Sequence, residues 1–253
     1  MISQAIRSSK RAVIPYVTAG LRGLDATSGI IRALDEAGAA AIEIGIPFSD
    51  PMADGPVLQK ASHLALQGGF TFDGLMARLD SWSVATKAPL IIMSYINPLM
   101  RRGLGDTLAR FRDAGVRGVI IPDLPLQALD IFDLCSRAGI DLIRLVAPTT
   151  PRARQEEVVS QCRGFVYAVT VKGVTGARVD LPAGVREQVE GTKALTSLPV
   201  CAGFGVSSAA QVSEMLTFSD GVIVGSCLMA EVIDADDPVE TARKTFASLM
   251  KEN

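Results

Sequence analysis

The sequence predicts an α/β chain closed into a single (β/α)8 TIM barrel, and three observations carry that prediction. Short aliphatic runs recur about eight times, roughly 20 to 45 residues apart, with amphipathic stretches between them, which is the rhythm of repeated strand–helix units. The runs are apolar almost throughout instead of alternating, so both strand faces must be covered, as in a parallel sheet under helices. The chain has 253 residues, close to the roughly 250 that eight such units occupy. A hydrophobic content of 48%, only 5% aromatic residues, 23 Gly and 13 Pro suit aliphatic strands joined by tight turns and exclude general disorder. A doubly wound open sheet is the competing arrangement; no GxGxxG turn follows the first strand to favour it. No Ser/Pro-rich linker divides residues 1–253, which read as one domain.

In chain order the strands are expected at residues 12–19, 40–46, 89–95, 118–122, 141–147, 164–170, 199–204 and 221–225. Amphipathic stretches at 25–37, 105–114, 127–138 and 207–216 read as helices among the connections. Three of the helices should end on the pairs Ala37-Gly38, Ala114-Gly115 and Ala138-Gly139, since glycine takes the left-handed turn that stops a helix.

Charge and composition narrow the function. Lys+Arg 25 against Asp+Glu 27 leaves a net −2, with no basic footprint for nucleic acid or an anionic membrane. Cys135, Cys162, Cys201 and Cys227 are widely spaced and form no CxxC pair, so they read as small buried hydrophobes in a reducing compartment. The single histidine, His63, excludes a multi-histidine metal site and reads as a surface or packed residue. The N-terminus lacks a signal-peptide core and no apolar run is long enough to span a bilayer, so a cytoplasmic chain is expected.

In a barrel, chemistry belongs at the C-terminal ends of the strands and in the loops after them. The second strand reads Ala41-Ile42-Glu43-Ile44-Gly45-Ile46. Its period of two sends the isoleucines under the helices and Glu43 inward between small neighbours. A carboxyl there is desolvated and its pKa rises, as an acid that must also act as base requires; an ion pair with another strand's Lys or Arg is the alternative. The next loop, Phe48-Ser49-Asp50-Pro51-Met52-Ala53-Asp54-Gly55-Pro56, carries two aspartates that suit turn formation and chemistry equally. Late in the chain, Gly173 to Gly176, Gly203-Phe204-Gly205 and Gly225-Ser226 fall at the ends of the last three strands. Open backbone N–H groups at helix starts favour phosphate, placing an expected phosphate site at strands seven and eight; ordinary strand-to-helix turns also use Gly and Ser.

The segment from Ile42 to Pro56 resembles the signature of the tryptophan synthase alpha-chain family. Further matches follow in that family's order: Ile14-Pro15-Tyr16-Val17-Thr18-Ala19-Gly20, Tyr95-Ile96-Asn97-Pro98, Pro122-Asp123-Leu124-Pro125, Gly173-Val174-Thr175-Gly176 and Gly203-Phe204-Gly205. The likeness covers nearly the whole chain. It implies a lyase that cleaves indole-3-glycerol phosphate to indole and glyceraldehyde 3-phosphate in tryptophan biosynthesis, with no metal and no cofactor in this chain. By motif position Glu43 resembles the family's general acid/base and Asp54 the carboxylate that accepts the indole N–H. Thr175 resembles the lid residue that bonds that aspartate. Tyr16, Met93 and Tyr167 resemble the walls of the indole site, and backbone at Gly176, Phe204, Gly205, Gly225 and Ser226 resembles the phosphate cradle. Val171-Lys172, and a hydroxyl at Tyr16 where phenylalanine is common, depart from the pattern. The resemblance also implies an α2β2 heterotetramer with a pyridoxal-phosphate beta chain, into which indole passes, docked near Asp50-Pro51 and Asn97-Pro98.

Overall fold

Eight parallel strands pair in chain order and the eighth returns to the first, closing the sheet. The chain is seen as a computed structural model that describes residues 1–169, 184–203 and 205–251. The strands are β1 (Val13–Thr18), β2 (Ile42–Gly45), β3 (Leu90–Met93), β4 (Gly118–Ile120), β5 (Asp141–Val146), β6 (Val166–Val169), β7 (Val200–Gly203) and β8 (Gly221–Val224). Closure rests on the register Val13↔Val222, Ile14↔Ile223 and Pro15↔Val224, which rules out the open-sheet alternative.

Helix α1 (Ile2–Ser8) precedes the barrel and α2 (Leu24–Glu36) follows β1. The connection from β2 to β3 carries two helices, α3 (Pro56–Gln67) and α4 (Phe72–Ala85). After β3 come α5 (Ile96–Met100) and α6 (Leu104–Asp113), then α7 (Leu129–Ala138), α8 (Arg152–Ser160), α9 (Val185–Lys193) and α10 (Ala209–Met215) follow β4, β5, β6 and β7 in turn. The chain closes with α11 (Ser226–Ile233) and α12 (Pro238–Leu249) after β8. The three expected glycine stops hold: Gly38, Gly115 and Gly139 all have positive φ, at 89°, 84° and 72°. Among the described residues no helix is long and apolar enough to cross a membrane.

Several strands are shorter than their apolar runs. Residues 40–46 contribute Ile42–Gly45 and residues 118–122 contribute Gly118–Ile120. The runs outlast the strands because flanking residues still bond to a neighbour: Ala40 N–H donates to the Val13 carbonyl at 2.9 Å and Ile46 N–H to the Met93 carbonyl at 2.8 Å. These residues stay buried, so selection for apolarity does not stop where the ladder does.

The period of two sorts the side chains into two cores. Ile42, Ile44, Leu90, Ile92, Val119 and Leu142 face outward and pack beneath the helices. Ile14, Ile91, Ile120, Ile143, Phe165 and Ile223 face inward. Ile2 and Ile6, one helical turn apart on α1, join the inner core and stop its N-terminal end. Each contributes roughly 1.5–3 kcal/mol by leaving water. Cys135, Cys162 and Cys201 are free and buried, Cys227 is free and half-buried, and His63 is exposed on α3.

Candidate active site

At the C-terminal end of the barrel the interior opens into a cavity of about 170 Å³. Glu43, Asp54, Tyr16, Met93, Tyr167, Gly205, Gly225 and Ser226 all border it, so eight of the eleven expected site residues meet in one place. Thr175, Gly176 and Phe204, together with Val171-Lys172, lie outside the described residues. A larger hollow of about 570 Å³ lies at the opposite end, where Met1 and Val84 on its rim are almost fully exposed. The smaller cavity is the one on which buried carboxyls converge.

Glu43 stands on the floor. It is 1% exposed, its Oε1 has no hydrogen-bond partner, and no ion pair reaches it among the described residues. Burial alone pushes its carboxyl from 4.5 up to about 8, as desolvation of an unpaired acid requires. The ion-pair alternative therefore falls, and Glu43 carries a proton at neutral pH.

Gly45, two residues on and on the same inward face, is glycine for a steric reason. A Cβ there would lie 1.9 Å from the Tyr16 hydroxyl and 2.3 Å from its Cζ. Tyr16 is the β1 partner of Glu43 in register, so the missing side chain on β2 lets the Tyr16 ring lie across the cavity wall. Burial raises the Tyr16 and Tyr167 hydroxyls well above the ordinary phenol value, with Asp54 and Glu43 adding to it, so both remain neutral.

Asp54 enters from the loop between β2 and α3. Burial raises its carboxyl from 3.8 to about 6, while the Tyr95 hydroxyl, offering a hydrogen bond, pulls the other way. At neutral pH Asp54 is therefore ionised where Glu43 is not. Two carboxyl groups facing one cavity are raised to different extents, about 8 and about 6, an arrangement suited to one proton donor beside one anion. The side chain of Asp50, the other aspartate of the loop, accepts from the Ser49 hydroxyl at 3.3 Å and lies at the surface.

Sequence reasoning did not single out Tyr95 as a site residue. It follows β3 two positions after Met93, and its hydroxyl accepts the Ala53 N–H at 2.8 Å. The same period of two that turns Met93 inward would have found it. The opposite wall is backbone. Gly225 caps α11 and Ser226 opens it, so the free N–H groups of an eight-residue helix begin at the cavity edge. Gly205, at φ 73°, borders the same edge. The described lining contains neither Lys nor Arg, so an anion held there would rely on backbone N–H groups and the helix dipole. No group of three His, Cys, Asp or Glu that could hold a metal ion occurs among the described residues.

Known proteins resemble this chain over nearly its whole length. The family model for the tryptophan synthase alpha chain matches residues 2–253. A tryptophan synthase alpha chain from Bacillus cereus is 43% identical over 99% of this chain and 97% of the relative, and one from Bacillus thuringiensis is 42% identical over the same shares. Among solved structures, the tryptophan synthase A-subunit of Pyrococcus furiosus superimposes with a TM-score of 0.89 at 33% identity, covering 94% of this chain and 97% of the other. A chain from the tryptophan synthase α2β2 complex of the same organism gives 0.90 at 34% identity over the same shares. With the family model matching residues 2–253 and relatives more than 40% identical over 99% of its length, the chain belongs to the tryptophan synthase alpha-chain family.

Proposed function

We propose that this chain, acting as one barrel over residues 1–253, is a lyase that cleaves indole-3-glycerol phosphate to indole and glyceraldehyde 3-phosphate. The observation that carries the reading is the split pair of carboxyls, Glu43 near 8 and Asp54 near 6, facing one largely apolar cavity. Met93, Leu145, Ile223 and the two tyrosine rings offer flat apolar walls to an indole. Gly205, Gly225 and Ser226 offer its phosphate a backbone cradle.

Protonated Glu43 gives its proton to C3 of the indole ring. The Asp54 carboxylate accepts the ring N–H and supports the positive charge that protonation creates. Glu43, now a carboxylate, takes the proton of the side-chain hydroxyl beside the ring. The bond between C3 and that carbon then breaks, its electron pair returns to the ring, and the former carbinol leaves as an aldehyde. Glu43 ends protonated as it began, so neither a metal nor an organic cofactor is called for in this chain.

The α2β2 relative supports a beta-chain partner. The face around the Asp54 loop fits such a contact: Phe48, Met52 and Leu66 line one surface hollow, Asn97 and Pro98 an adjoining one, and Met52 is 87% exposed. The test is indole formation by the purified chain from indole-3-glycerol phosphate, with and without a tryptophan synthase beta chain. Turnover that rises with the partner is expected. No indole under either condition would sink the proposal.

A further inference from the structure

Tyr95 occupies an unusual junction. Its hydroxyl accepts the N–H of Ala53, the residue before Asp54, at 2.8 Å, and it is close enough to the Asp54 carboxyl to hold that group's pKa down against its burial. A phenol oxygen that accepts from an amide has its own proton free for a neighbour, and the carboxylate is that neighbour. The loop's other ties end on its backbone: Gln59 Nε2 donates to the Asp54 carbonyl at 2.9 Å and the Pro51 carbonyl at 3.5 Å, the Met52 N–H to the Asp50 carbonyl at 2.9 Å, and the Asp54 N–H to the Pro51 carbonyl at 3.0 Å. None of those bonds reaches the Asp54 side chain.

The tyrosine itself is held on two further sides. Its ring stacks on Phe48, with centroids 5.2 Å apart and planes 28° from parallel. The next amide, Ile96 N–H, donates to Asp123 Oδ1 at 2.9 Å, fixing the backbone where β3 turns into α5. The residue as a whole is only 5% exposed. A fixed phenol therefore meets a loop whose catalytic side chain has no other described anchor. We propose that Tyr95 is a positioning residue for Asp54: its hydroxyl, anchored in a fixed ring, sets where the β2–α3 loop carries that carboxylate. This deepens the lyase reading and rests on it.

The charged and titratable neighbours define the direction of the effect. Asp54 is faced by Tyr95 from the end of β3, Tyr16 from β1, Tyr167 from β6 and Glu43 from the floor; Asp123 approaches Tyr95 from the loop after β4. Of these, Tyr95 supplies the hydrogen bond that lowers the Asp54 carboxyl against its burial. Removing the hydroxyl moves Asp54 towards the neutral form, which accepts an N–H less well.

The experiment measures kcat, KM and the pH profile of kcat/KM for indole formation by the full chain with a beta chain, comparing wild type with Tyr95→Phe. Phenylalanine keeps the Phe48 stack. We expect kcat/KM about tenfold lower, as for one hydrogen bond to a charged group, carried by kcat more than by KM. The acid limb should move up by about half a pH unit. Tyr95→3-fluorotyrosine, a stronger donor of almost the same shape, should move that limb down and guards against a Phe variant that folds poorly. Wild-type kcat with an acid limb unmoved in both variants would overturn the positioning role. An inactive wild type would instead remove the lyase reading on which it rests.

Discussion

At the N-terminal end of the barrel, Ile2 and Ile6 of α1 press on Ile91, Ile120 and Ile143, and the interior is apolar and filled. Towards the C-terminal end the same eight strands carry Glu43, Tyr16 and Tyr167 around a cavity. The contrast separates two uses of one scaffold. The filled end returns free energy for every side chain it buries, whereas the open end buries an acid that would be better solvated in water. Glu43 makes this quantitative, because a carboxyl whose folded value is about 8 and whose ordinary value is 4.5 destabilises the fold at every pH above the ordinary value, increasingly up to the folded one.

The largest expected effect breaks the comparison at its polar end. Glu43→Gln should lower indole formation by about two to four orders of magnitude, the usual worth of a positioned acid/base. The same change should raise stability, by up to about 3 kcal/mol at pH 7. The sign follows from the raised value: the folded chain holds the proton to higher pH than the unfolded one, so the penalty is absent below about 4.5 and complete above about 8. Urea unfolding at pH 5 and pH 8 checks it. A Gln variant no more stable than wild type at pH 8 would mean that Glu43 is not penalised by burial.

At the other end the signs reverse. Ile6→Ala should cost about 2–4 kcal/mol of stability by leaving a cavity, with indole formed per folded molecule unchanged. Loss of turnover in step with folded protein, read by circular dichroism, fits that expectation; a lower kcat in fully folded protein would show that the plug reaches the catalytic end.

The two ends also differ in how much of them the sequence reveals. Glu43 is conspicuous because it interrupts an isoleucine series at a spacing of two, so its inward direction and its isolation follow from strand geometry. Asp54 is ambiguous by itself, since Asp-Gly and Asp-Pro make turns whatever else they do; only the length of the surrounding motif separates it from Asp50. Tyr95 carries no local signal of its bond to Ala53, which lies 42 residues away. The plug is harder still. Two isoleucines one turn apart on a seven-residue helix leave no periodicity to read, and their partners come from three separate strands. Residues whose environment is set by their own strand are legible, and residues whose environment is assembled by closure of the barrel are not.

A smaller effect concerns the pH profile. Indole formation, as kcat/KM, should rise as Asp54 ionises near pH 6 and fall as Glu43 loses its proton near pH 8, giving a bell. Asp54→Asn should lower the plateau and flatten the acid limb while leaving the alkaline one in place. A bell that survives in that variant would move the acid limb to another group.

The smallest expected stability changes come from one substitution made at both ends. Gly118→Ala, at the filled end, brings a methyl group within 2.7 Å of Ile143 Cδ1 and of Ile2 Cδ1. Both are the far ends of flexible side chains and can turn aside; the Asp141 carbonyl oxygen, 3.2 Å away, has only a few tenths of an ångström to give, so the cost should be about 1–3 kcal/mol. Gly45→Ala places the same methyl group 1.9 Å from the Tyr16 hydroxyl and 2.5 Å from its ring carbon Cε2. A ring cannot yield by rotating a terminal methyl; it must swing as a body, and the space available is the cavity. The stability cost should again be about 1–3 kcal/mol, but here KM rises and kcat falls in protein that is still folded. Thermal melts paired with indole kinetics separate the two outcomes. Equal kinetic damage from both substitutions would show the ends to be mechanically coupled, and the division between a filled end and a working end would then fail.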